Sequence, residues 1–128
     1  KCDWSSDVCS SDLRRGAWLQ LTAGSIVGKF GKPARYWSEK LLGDGVVHLI
    51  ASDAHNTSKR NPVMSDALPT LESALGKEEA QRLVLDRPRA ILDNKDPGEV
   101  AAVPGLADSS KSHLRAGQPW FKRWFRRV

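Results

Sequence analysis

The chain has 128 residues, two cysteines and a formal charge of +5. That length allows at most one domain, and no run approaches the ~20 apolar residues of a membrane span. Residues 113–128 carry Arg115, Lys122, Arg123, Arg126 and Arg127 with no acid, while the other 112 residues hold 15 basic and 15 acidic groups. A charge-balanced body with a basic end is not the composition of a nucleic-acid-binding domain, so no nucleic-acid partner is expected.

The opening residues stand apart. Cys2 to Leu13 looks like the translation of a short-read sequencing adapter, and residues 1–13 are therefore read as non-native. Both cysteines fall there, so the remainder says nothing about disulfides or redox compartment. Cys9 and Arg15 span the Cys-x5-Arg spacing of cysteine-dependent tyrosine phosphatases. That motif needs backbone N–H groups cradling phosphate beside a low-pKa thiolate. Ser10-Ser11-Asp12-Leu13-Arg14 lacks glycine and places Asp12 where the anion belongs, which excludes this chemistry.

Residues 14–94 form the body. Arg14-Arg15-Gly16 has the basic last turn and glycine stop of a helix. Ala17 to Thr22 predicts a strand, with a turn at Ala23-Gly24-Ser25. Pro33 to Leu42 has helical spacing, stopped by Gly43-Asp44-Gly45, and Val46 to Ala51 is a second apolar strand. Strand, helix, strand with short links predicts a right-handed βαβ unit with parallel strands, so the fold class is α/β. A polar loop from Ser52 to Val63 follows. Ser65 is expected to cap a helix reaching Leu75, with Pro69 near its first turn. Gly76 breaks that helix, Lys77 to Leu85 predicts another, and Pro88 to Leu92 a short turn.

Residues 95–118 are rich in Pro, Gly, Ala, Ser and Asp and predict a disordered linker. Residues 119–128 then form a basic-aromatic tail. At 100° per residue, Trp120, Phe121, Trp124, Phe125 and Val128 gather within roughly 140°, opposite Lys122, Arg123, Arg126 and Arg127. Such a segment suits an anionic membrane surface. An acidic protein partner and a plain disordered tail are the other two readings.

The chemistry gathers after the second strand, in Ser52-Asp53-Ala54-His55-Asn56 and Arg60. In α/β folds, ligands and catalytic groups collect at the carboxyl ends of strands. Asp53 and His55 supply a carboxylate and an imidazole, ligand types that suit Zn, Mn or Fe. Strand alternation places both on one side, and the Arg60 fork matches a phosphoryl group. Asn56 and Ser25 are candidates to orient a ligand or phosphate at the rim, although turn chemistry accounts for them equally well. On the residues alone, Asp53 as a turn cap and His55 as a packed ring remain open. His48 alternates opposite to Asp53 and is expected to face a packing helix.

Three pieces carry a family likeness: Leu19 to Ser25, Val47 to Asn56 combined with Arg60, and Arg87 to Leu92. Together they resemble the PHP (polymerase and histidinol phosphatase) superfamily. Within it, the nearest branch is the bacterial tyrosine-protein phosphatases of capsular or extracellular polysaccharide. The resemblance implies a distorted barrel of the (β/α)7 type, of which residues 14–94 would be an incomplete C-terminal portion followed by a disordered tail. It also implies a polynuclear metal site, usually manganese, whose ligands come from an early His-x-His, a central Glu and His, and a late Asp-x-His. Only the last pair carries over, to Asp53 and His55 as metal ligands, with Arg60 catalytic and Arg60 and Asn56 binding substrate. No His-x-His occurs in the chain, so the fragment alone is expected to be inactive. The implied substrate is a phosphotyrosine protein, a membrane-associated autophosphorylating kinase. The implied location is cytoplasmic, peripheral at the inner face of the membrane. The alternatives are a PHP phosphoesterase acting on a small molecule such as histidinol phosphate, and an inactive or partner-binding fragment.

Overall fold

The computed structural model describes residues 7–58 and 60–107. Helix α1 (Asp7–Arg14) ends where Arg15 donates its N–H to Ser11 O at 3.1 Å and Gly16 turns to φ 98°. That left-handed stop is one that glycine adopts without a Cβ clash. The stop lies where the sequence places it, but the helix runs back through the residues read as adapter-derived.

Strand β1 (Gln20–Thr22) and strand β2 (Leu49–Ala51) are shorter than the apolar runs that suggested them. They pair in parallel, with Gln20 opposite Leu49, Leu21 opposite Ile50 and Thr22 opposite Ala51. Between them run α2 (Ala23–Ile26), where only a turn was expected, and α3 (Lys32–Gly43). Gly31 at φ 87° and Pro33 in the first turn start α3, since an N-terminal proline gives up an N–H that has no partner anyway. Gly45, at φ 68°, turns the chain out of it toward β2.

After β2 and a long loop come α4 (Leu68–Leu75), α5 (Lys77–Gln81), a π-helical turn at Arg82–Asp86 and α6 (Arg87–Leu92). Ser65 does not cap α4, which begins behind Ala67 with Pro69 in its first turn. The helix expected at 77–85 and the turn expected at 88–92 are one continuous helical run. Pro88 lacks an N–H and its ring crowds the carbonyl four residues earlier; the wider π turn just upstream absorbs that misfit. Ala23, Ile26, Leu42, Val47, Ile50, Ala67, Leu71, Ala80 and Leu83 form one core between the sheet and the helices.

Residues 95–107, predicted as the start of a disordered linker, are docked on that core. A 3-10 turn at Pro97–Glu99 leads to Val103, which is 1% exposed. Gly105 N–H then donates to Gly45 O at 2.9 Å. A Cβ on Gly105 would collide with Asp44 O, so the two backbones meet only because the side chain is absent. Gly105→Ala is expected to cost about 1–3 kcal/mol through this overpacking. Its checks are the urea midpoint and faster tryptic cutting at Lys95. Residues 108–118 of the expected linker and the 119–128 tail lie outside the described residues.

His48 differs from expectation in what it packs on. Its ring stacks on Trp18, ahead of β1, with centroids 5.3 Å apart, and its Nδ1 accepts the Leu19 N–H at 3.2 Å. Burial, and secondarily the Arg87 charge, lower its pKa below the ordinary 6.5. The unfolded chain therefore takes up this proton more readily than the folded one. Stability is complete above about pH 6.5 and declines as pH falls through that value toward the lower, folded pKa. Urea midpoints at pH 7.5 and 5.5 should show the decline, and His48→Gln should shrink it.

Candidate functional site

β2 stops at Ala51, and Asp53 takes φ 53°, a left-handed conformation that Asp tolerates better than most residues. Strand alternation therefore does not reach Asp53 and His55; the turn itself brings them together. His55 Nδ1 lies 2.7 Å from Asp53 carbonyl O and 3.8 Å from Asp53 Oδ1. A carbonyl oxygen only accepts, so Nδ1 carries a proton in this contact, the tautomer whose lone pair lies at Nε2.

The loop closes on Arg60. His55 N–H donates to Arg60 O at 2.9 Å, and Asn56 Oδ1 accepts the N–H groups of Ser58 at 3.1 Å and Arg60 at 2.9 Å. Asn56 thus organises the loop through an Asx-type turn, whatever else its amide meets. The Arg60 guanidinium reaches back to Asp53, its Nη2 donating to Oδ2. Asp53, His55, Asn56 and Arg60 accordingly share one small loop at the carboxyl end of β2. Ser25 sits in α2, at the carboxyl end of β1.

One neighbour was not foreseen. Arg60 Cζ lies 5.6 Å from the centroid of the Phe30 ring, in cation–π range. Phe30 is 45% exposed, and a Cβ on Gly24 would come within 2.9 Å of its ring. The signal for it is an aromatic residue set in the turn Gly28-Lys29-Phe30-Gly31, which no core face claims. Lys29 also pairs with Asp66 at 2.8 Å. Both partners are half-exposed, so that pair contributes at most about 1 kcal/mol.

Among the described residues, no three His, Cys, Asp or Glu side chains converge as a metal-binding group. Asp53 and His55 form a pair, and the chemistry of the pair fits a divalent cation. One offers a carboxylate oxygen and the other an imidazole whose Nδ1–H is pinned on a carbonyl, the outer partner that metal-ligating histidines usually have.

A carboxylate, an imidazole and a guanidinium thus gather at the carboxyl end of a parallel strand, where α/β proteins place their ligands. The family model described as "Capsular polysaccharide synthesis, CpsB/CapC" matches residues 6–93, and the chain belongs to that family. Over 66 residues it is 41% identical to the tyrosine-protein phosphatase YwqE of Bacillus subtilis, covering 52% of this chain and 26% of that protein. Over 91 residues it is 36% identical to the tyrosine-protein phosphatase CpsB of Streptococcus agalactiae, covering 64% of this chain and 36% of that one. A solved structure from the work on YwqE of Bacillus subtilis and CpsB of Streptococcus pneumoniae, described as unique metal-dependent tyrosine phosphatases, superposes with a TM-score of 0.60. That match is 35% identical and covers 68% of this chain and 36% of the other. The chain thus spans about a quarter to a third of the length of the relatives it matches.

Proposed function

We propose that this chain supplies part of the active site of a metal-dependent phosphatase acting on phosphotyrosine in protein, within capsular or extracellular polysaccharide synthesis. The observation that carries this reading is the gathering of Asp53, His55 and Arg60 in one loop of a chain belonging to the CpsB/CapC family. The β1-to-β2 unit and the helices after it would be the C-terminal portion of a distorted barrel whose other strands complete the site.

Asp53 and His55 would hold a divalent metal, with manganese the proposed ion. When bound, the metal supplies an activated water and polarises the phosphoryl oxygens. Asp53 contributes an anionic oxygen to that cation. His55 contributes Nε2, the nitrogen that carries the lone pair in the tautomer donating Nδ1–H to Asp53 O. Arg60, with its side chain about one-third exposed, can place a guanidinium N–H on the phosphoryl group and stabilise the charge that grows there. Asn56 keeps Arg60 in reach by holding its backbone N–H.

The proposed substrate is a membrane-associated tyrosine kinase, and residues 119–128 would bring the protein to the anionic inner face of the membrane, a cytoplasmic setting. Deleting 119–128 should reduce co-sedimentation with phosphatidylserine vesicles several-fold; unchanged sedimentation removes the tail from the proposal.

The test of the activity is turnover of a phosphotyrosyl peptide with manganese. The 128-residue chain alone should stay at background, since its described residues offer only a pair of ligands. An intact protein containing it should turn the peptide over and lose that activity to a chelator. Chelator-resistant turnover, or a preference for histidinol phosphate, would overturn the reading.

A further inference from the structure

The two carboxylate oxygens of Asp53 are divided between two neighbours. Oδ1 faces His55, while Oδ2 is held by Arg60 Nη2. Arg60 is in turn fixed on several sides. Its N–H is held by Asn56 Oδ1, its carbonyl accepts from His55 N–H, and its guanidinium lies over Phe30. Its Nε is withdrawn from solvent with no hydrogen-bond partner among the described residues. A loose surface ion pair would leave the fork free to swing; this one is built into the loop.

We infer that Arg60 is a positioning residue for the cation. By fixing Oδ2 it fixes the rotation of the Asp53 carboxylate, leaving Oδ1, 3.8 Å from His55 Nδ1, as the oxygen open to a cation, and the Arg60 contact persists once a cation is bound. Hydrogen-bonded outer partners of this kind tune metal affinity. The inference rests on the cation reading of Asp53 and His55, and it is separate from any contact of Arg60 with phosphate. The opposing possibility is competition, with Arg60 acting as a counterion that the cation must displace. The two differ in sign: positioning means that removing Arg60 weakens cation binding, and competition means that it strengthens it.

Manganese is paramagnetic and broadens nearby amide signals even when it binds weakly, so the full 128-residue chain suffices. In 15N-labelled protein titrated with MnCl2, the amides of Asp53 and His55 should broaden first. Arg60→Ala should raise the manganese concentration at half-broadening by about tenfold. Arg60→Lys should fall between, because it keeps the charge and loses the planar fork. Signal dispersion of each variant reports whether it is folded. A half-broadening concentration that is unchanged or lowered in both variants overturns the positioning role and leaves the cation reading standing. Absence of broadening at Asp53 and His55 in the unsubstituted chain overturns both together.

Discussion

Arg87→Ala should lower the stability of the chain by about 3 kcal/mol, since three backbone carbonyls lose their donor and Glu79 is left with Arg82 alone. Arg87 is 1% exposed, and its Nη1 lies 2.8 Å from Glu79 Oε1. The same guanidinium donates to Ala101 O at 3.1 Å, Ala102 O at 3.4 Å and His48 O at 3.4 Å. One side chain therefore ties the helical run to His48, just ahead of β2, and to the 95–107 segment. A body of this size has a small margin of stability, so the variant is expected to be largely unfolded at 25 °C. Urea unfolding followed by far-UV circular dichroism would measure it. Glu79→Gln should cost less, because the amide can still accept from Arg87; an equal or greater loss would show that the carbonyl contacts matter less than the charge pair. A near-native midpoint for Arg87→Ala would refute the hub role altogether.

The second large effect concerns chemistry. In an intact protein carrying this chain, Asp53→Ala should reduce kcat/KM on a phosphotyrosyl peptide by more than about 100-fold, since loss of an outer partner alone can reach that figure. His55→Ala should behave similarly. Loss of Arg60, which would act on transition-state charge, should cost about 10²–10³ in kcat. Raising the manganese concentration should partly restore the His55 variant, whose defect is in holding the ion, and should leave the kcat of the Arg60 variant low. Full activity in Asp53→Ala would sink the proposed role of the loop.

Much of this could be read in advance, and the failures share a cause. The parallel strands followed from two apolar runs separated by one helix, and Gly16, Gly45 and Gly76 marked their turns because positive φ is a local demand. Asp53 and His55 lie beside each other through a left-handed residue rather than the expected strand alternation. Arg87 left a trace that composition hides. Ala80, Leu83, Arg87 and Ala90 are all buried at helical spacing, so a cation occupies a position in an apolar stripe and must find an anion. The 95–107 segment gave no such trace. Its attachment rests on Val103, on a glycine meeting another glycine 60 residues earlier, and on the arm of Arg87. Each is a long-range contact with no periodicity to announce it.

That glycine-to-glycine meeting also sets an orientation. Gly45 precedes β2 and Asp53 follows it, so the two lie toward opposite ends of that strand. The backbone at Gly105, bonded to Gly45, thus lies toward the end of β2 remote from the carboxylate, imidazole and guanidinium. A label at Ala107, which is exposed, would sit at that end and leave the Asp53 loop facing the bulk solution.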